Sequence, residues 1–360
     1  MRKYLYPFLL LGFGAAVVTI FLFKSASPVP VPPLKARQGD LALGGEWLNT
    51  KKAVQGLRAK LRQDPNDHQS RLLLAQAYLQ EGRVTGDHPY YDAAALQLLE
   101  QVLADQPDNF DALCSQASLC LTQHHFAQGL ALAERAAKIN PYSAYVYGLL
   151  CDAHVELGHY DEAVRMADRM NQVRPDLRAY ARVSYLRELH GDVPGAIQAM
   201  GMATEAGYVG LEQTEWTRVQ LGQLHENRGE LDQAENLYQQ SLQVRPFYAY
   251  ALAGLSRVAA ARRDYPAAIK YLEQARATVK DYAFADELAD LYRLHGQPAE
   301  AEKMAKESIA MLAGAAQEAD ENEQLGHYAD RELAYAYVKT GELDWALKHA
   351  QIEYERRPDN

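Results

Sequence analysis

Pro107, Pro141 and Pro175 stand 34 residues apart in this 360-residue chain, and that spacing constrains the fold more than any other feature. Each lies just past a helical hydrophobic pattern, where a residue without a backbone N–H cannot continue the helix. Glycine keeps the same phase. Gly158 precedes Pro175 by 17 residues, as Gly229 precedes Pro246 and Gly341 precedes Pro358, and Gly82 occupies the equivalent place near the start. A period of 34 with this punctuation denotes an array of helix–turn–helix units stacked on their neighbours.

The position just after each turn is small in eight successive units: Ala94, Gly129, Ala163, Ala196, Ala234, Ala268, Ala301 and Ala346. Only a short side chain there lets two antiparallel helices approach closely. The fullest unit runs Leu221, Gly222, Gly229, Leu231, Ala234, Tyr238, Pro246, and another runs Leu150, Cys151, Gly158, Tyr160, Ala163, Pro175. On these residues the chain resembles the tetratricopeptide repeat family from about Trp47 to its C-terminus. The resemblance implies an all-α fold, a right-handed α-solenoid, and the N-terminal residues are expected to precede it with a single transmembrane helix.

Departures from the motif carry their own expectations. Residues 84–89 form an insert in the first turn and are expected to bulge as a loop. His124 and Arg263 replace the turn glycine in repeats 2 and 6, at a cost in left-handed backbone freedom. Repeat 4 lacks a closing proline and is followed by an extra linker, residues 207–213. The acidic stretch 317–323 is expected to be a helix extension or a solvated loop. Residues 46–63 read as the second helix of an incomplete repeat.

The domain boundaries follow: an anchor over 1–24, a Pro-rich linker over 25–45, and a solenoid over 46–360 with a half repeat at 46–65 and about eight repeats thereafter. Arg2 and Lys3 precede residues 4–23, an uncharged run long enough to cross a bilayer as a helix. A cleavable signal peptide shares this pattern, but the run is long for one and Pro28 obstructs cleavage after Ser27. The N-terminal charges favour a cytoplasmic start with the repeats on the periplasmic or extracytoplasmic side, although Lys24, Lys35 and Arg37 oppose this. Four prolines within residues 27–33 are expected to form an extended spacer that holds the repeats off the membrane.

The net charge of −10 argues against nucleic-acid binding, which would need a basic face. Cys114, Cys120 and Cys151 are expected to be buried, unpaired thiols, with Cys151 in a small-residue packing slot. His124 and His125 are adjacent and cannot form one ligand pair, and His154 and His159 straddle a turn. Several histidines, among them His154, His190, His225 and His295, fall on repeat positions, so the histidines read as structural and no metal site is expected. Nucleophile-elbow, phosphate-loop and dinucleotide motifs are missing, so the chain reads as a non-enzyme without cofactors.

The family resemblance places ligands on the concave face lined by first helices. Carried over slot by slot, it puts Tyr145, Asp152, Arg178, Arg182, Tyr185, Trp216, Gln220, Gln223, Tyr250 and Arg257 there, with Tyr328, Arg331 and Tyr335 from repeat 8. Aromatics beside arginine offer rigid contact area and a directional donor; the competing reading has Tyr145, Trp216 and Tyr250 filling gaps between repeats. The Lys and Asn clamp of chaperone-tail receptors is replaced by Gly148 with Asp152, Val219 with Gln223, and Ala253 with Arg257. The expected function is therefore a membrane-tethered scaffold that binds proteins or peptides in bacterial envelope organisation. The alternative is a soluble or secreted regulatory repeat domain. The final helix, residues 344–356, is expected to leave an apolar flank exposed.

Overall fold

The computed structural model describes residues 32–37, 45–321 and 327–360, with seventeen helices and no strand among them. Helix α1 (Gly45–Gln63) spans the segment read as a half repeat. Eight hairpins follow: α2 (His68–Thr85) with α3 (His88–Asp105), α4 (Phe110–Thr122) with α5 (Phe126–Ile139), α6 (Ala144–Glu156) with α7 (Tyr160–Val173), and α8 (Leu177–Leu189) with α9 (Val193–Glu205). The second half comprises α10 (Glu212–Asn227) with α11 (Leu231–Val244), α12 (Ala249–Ala261) with α13 (Tyr265–Thr278), α14 (Tyr282–Leu294) with α15 (Pro298–Glu321), and α16 (Asp330–Thr340) with α17 (Leu343–Arg356).

Local chemistry sets the helix starts. The side chains of Asp67, Asn109, Asp176, Asp192, Asp264 and Asp281 each accept a hydrogen bond from a backbone N–H in the first turn that follows. Such a cap satisfies an otherwise orphaned donor and is worth about 1 kcal/mol. Within hairpins, every member of the small-residue series is buried. Tyr238 shows what the slots accomplish. Its ring is fully buried between Gly222 on α10 and Gly254 on α12, and a Cβ on either glycine would approach the ring to 2.5 Å. One second-helix aromatic is thus wedged between two first helices, and its hydroxyl donates to Glu226 at 2.7 Å. First helices also pack directly on the next first helix, which places them on the inner face of the array.

The stacked hairpins coil far enough for later repeats to meet earlier ones. The turn between α2 and α3 reaches the α13–α14 junction, where a Cβ on Gly86 would strike Val279 and Lys280. One hairpin on, Tyr328 donates its N–H to the carbonyl of Gln123 at 3.1 Å. One further on, Arg357 donates to the carbonyl of Glu156 at 3.2 Å and Asn360 to the same carbonyl at 2.9 Å. Turns of hairpins 1, 2 and 3 therefore dock in order on the junctions after hairpins 6, 7 and 8. A continuous seam joins two levels of the coil.

Several sequence expectations change. The first-turn insert does not bulge: α2 runs through Thr85 and α3 starts at His88, so the extra residues lengthen the hairpin and carry its tip to the seam. The acidic stretch takes its helical form at least to Glu321. The linker is not a free spacer over its described part. Tyr78 and Tyr90 donate to the carbonyls of Pro32 and Pro33, both at 2.5 Å, and the Lys35 N–H donates to the Tyr91 hydroxyl at 3.2 Å. Arg37 grips Glu81 through Nε at 3.0 Å and Nη2 at 2.5 Å, with side chains 3% and 0% exposed. Losing either partner would strand a buried charge. The expected anchor, residues 1–24, lies outside the described residues, and no described helix is long and apolar enough to cross a membrane. On α17, Trp345, Leu347 and Tyr354 are exposed as expected, while the residues that follow it dock on hairpin 3.

Candidate binding groove and the seam beside it

The first helices bring the expected groove residues to one face, but only some are free to meet a partner. Asp152 on α6 takes a forked bond from Arg182 on α8, Nε to Oδ1 at 2.7 Å and Nη2 to Oδ2 at 2.5 Å. Arg182 also donates to the carbonyls of Gly148 and Arg178. Burial alone would lower the guanidinium pKa; the Asp152 carboxylate outweighs it and holds the value above the ordinary one. Arg257 on α12 repeats the pattern, meeting Glu226 of α10 at 2.9 Å and Glu287 of α14 at 3.6 Å. Burial also works against the Arg257 charge, and the two carboxylates restore it. Asp152, Arg182 and Arg257 are thus rungs between neighbouring helices, their charges already engaged within the fold.

The rungs share one spacing. Asp152 to Arg182 is 30 residues and Glu226 to Arg257 is 31. On the outer helices, Asp232 to Arg262 is 30 and Arg276 to Glu307 is 31. One repeat less one helical turn gives this value, because equivalent helices lie 34 residues apart and a long side chain reaches back a turn. Glu226 and Glu287 escaped the sequence reading, yet opposite charges at this offset were visible.

Two expected aromatics fill structure. Tyr250 packs on Tyr248 and Phe284, and burial, reinforced by the Asp281 charge, pushes its hydroxyl up to about 12. Tyr328 lies in the seam, its ring tilted against His125 with the Arg356 guanidinium 3.8 Å from its ring centre. Tyr145 is half-buried in the hairpin 3 core with Arg178 over its ring at 5.6 Å. The open part of the groove consists of exposed Arg178, Tyr185 (46% exposed), Trp216 (37%) and Tyr335 (69%), flanked by half-buried Gln220 and Gln223. Arg331 is also exposed and pairs with Glu332 at 2.7 Å. Burial and the nearby Glu156 charge raise the Tyr185 hydroxyl pKa, and Arg331 counters them, so hairpins 4 and 8 act on one another.

The cysteines are all buried and free, with burial pushing each thiol up to about 12, which leaves them inert packing groups. His124 and Arg263 occupy the left-handed region at φ 63° and 64°, as their turn-glycine slots imply. Sequence spacing paired His124 only with its neighbour. The structure instead brings it to His327 and Glu332, with candidate donor atoms of all three within 4.8 Å of one another.

Known proteins agree with this architecture. Family models described as tetratricopeptide repeat match residues 121–187 and, in a second form, residues 91–144 and 219–283. The chain therefore carries tetratricopeptide repeats in an all-α solenoid. A chain of the APC/C hetero-tetramer Cut9–Hcn1 superposes with a TM-score of 0.56 at 15% identity, over 89% of this chain and 59% of that one. Human IFIT1, in a dimer with PPP-AAAA, gives 0.57 at 13% identity over 86% of this chain and 79% of that one. The chain thus spans little more than half of the Cut9–Hcn1 chain it matches. Sequence comparison with curated proteins gives no match.

Proposed function

We propose that this chain is a scaffold whose inner face binds a protein or peptide segment, and that residues 4–23 tether it to a bacterial envelope membrane with the repeats outside the cytoplasm. The carrying observation is the exposed set Arg178, Tyr185, Trp216 and Tyr335 on first helices where Arg182 is already paired with Asp152 and Arg257 with Glu226. Exposed aromatics on a rigid face give contact area at little entropic cost, and Arg178 supplies a donor for a carboxylate. A segment presenting an apolar or aromatic residue beside an acidic one fits that chemistry. Binding acts by display, with no bond chemistry. The PPP-AAAA held by human IFIT1 is a poor guide here, because a net charge of −10 opposes phosphate contacts.

Affinity capture from solubilised membranes tests the reading. Trp216→Ala combined with Tyr185→Ala is expected to lower recovery of co-purifying protein at least tenfold without changing helical content. Arg182→Ala, which removes a rung, instead lowers the melting temperature. Unchanged recovery with the double variant would discard the groove. The tether has its own test: alkaline carbonate should leave the chain in the membrane pellet, and release into the supernatant would favour the soluble regulatory alternative.

A further inference from the structure

The seam contains a cluster that the scaffold reading does not use. His124 is the αL residue of the α4–α5 turn, His327 precedes α16, and Glu332 lies in the first turn of α16. The imidazole rings of His124 and His327 are 4.1 Å apart between centroids, tilted by 48°. We infer that His124, His327 and Glu332 form a binding site for one divalent transition-metal ion of the zinc class, which staples hairpin 8 to hairpin 2 across the seam.

Three observations carry this. The donor atoms lie within 4.8 Å of one another, and a tetrahedral ion with bonds of about 2.1 Å needs them at about 3.4 Å, a closure that side-chain rotation supplies. Each imidazole is hydrogen-bonded to the backbone. His124 Nδ1 lies 2.9 Å from the Tyr328 carbonyl, which can only accept, so Nδ1 donates and Nε2 keeps its lone pair. His327 also bonds the backbone of Thr122. Ligating histidines are held in this way in metal sites. Third, Glu332 divides its oxygens: Oε1 takes Arg331 through Nε at 3.0 Å and Nη2 at 2.7 Å, while Oε2 is buried without any hydrogen-bond partner. A buried carboxylate oxygen left unpaired is costly, and a cation removes that cost.

Two imidazoles and one carboxylate suit zinc and, by the general order of stability, copper and nickel more than magnesium or calcium. Three protein ligands leave a fourth position for water. The site also gives a reason for an imidazole in a turn slot that favours glycine: the left-handed backbone costs about 1 kcal/mol or more, and the ligand reaches a neighbour 203 residues away (327 − 124).

Calorimetric titration of the untagged full-length protein in detergent, stripped by chelator, tests the site with Zn²⁺ alone, and Co²⁺ absorption reports its geometry. Wild type is expected to take one equivalent of Zn²⁺, give tetrahedral Co²⁺ bands and melt at a higher temperature when loaded. Glu332→Gln and His327→Gln should each weaken binding at least tenfold while circular dichroism stays unchanged. His154→Ala alters the other close histidine pair, whose Nδ1 atoms are 3.3 Å apart, and should leave binding unchanged. Absence of one-equivalent binding overturns the site. So does binding that survives Glu332→Gln and His327→Gln in folded protein, or that follows His154 instead.

Discussion

Contacts within one level of the coil and contacts across the seam are built from different materials. Within a level, neighbouring hairpins meet through repeated small residues, apolar clusters and charge rungs at a fixed offset. Ala163, Ala196, Ala234 and Ala268 are all fully buried, and Tyr238 is locked between Gly222 and Gly254. Across the seam the contacts are polar and individual: Tyr328 on Gln123, Arg357 on Glu156, Asn360 accepting from the Tyr160 hydroxyl at 2.9 Å, and the His124–His327–Glu332 cluster. Nearest-neighbour packing supplies most of the stability of a repeat array. The seam fixes how tightly the coil winds, and therefore how open the groove remains.

The comparison breaks most visibly at Tyr238. Tyr238→Ala empties a fully enclosed site and removes one donor to Glu226, so a loss of about 3–5 kcal/mol is expected, read as a large drop in the urea midpoint. A midpoint near wild type would show that the wedge does not hold the level together. A smaller effect separates seam from level. Gly158 and Gly229 share φ +77°, but a Cβ on Gly158 would collide with the carbonyl of Asp359, whereas one on Gly229 meets open space. Both Gly→Ala changes pay about 1 kcal/mol for the left-handed backbone. Gly158→Ala should in addition speed amide exchange at residues 357–360, and equal exchange in the two variants would argue against the docked C-terminus. The smallest expected effect is at the thiols. With pKa values raised to about 12 and no exposure, Cys114, Cys120 and Cys151 should resist a water-soluble thiol reagent from pH 7 to 9. Labelling should appear only on unfolding, and rapid native labelling would contradict the packed cores.

Much of the fold was legible because it is periodic. The 34-residue spacing, the small-residue slot and the left-handed turns at His124 and Arg263 all come from local rules applied eight times. The groove was legible only in outline. Slot position placed Tyr185, Trp216, Tyr335 and Arg178 on an exposed face, but it also offered Asp152, Arg182 and Arg257, which neutralise one another or Glu226. A side chain's slot fixes its direction; whether it is free depends on charges one repeat away. Tyr250 and Tyr328 take partners that slot position did not reveal for a similar reason, since Phe284 and His125 come from other hairpins. The insert at residues 84–89 carried turn residues and nevertheless lengthened a hairpin, because its tip found a docking site on the next level.

By itself, the sequence determined the unit, its number and the partner of each hairpin, since those follow from contacts between residues one repeat apart or less. Tertiary structure alone decided the pitch of the coil, which turns meet which junctions, and the meeting of His124 with His327 and Glu332. The physical reason is accumulation: each hairpin adds a small rotation set by its own packing, and only the sum over five or six of them brings distant residues within bonding distance.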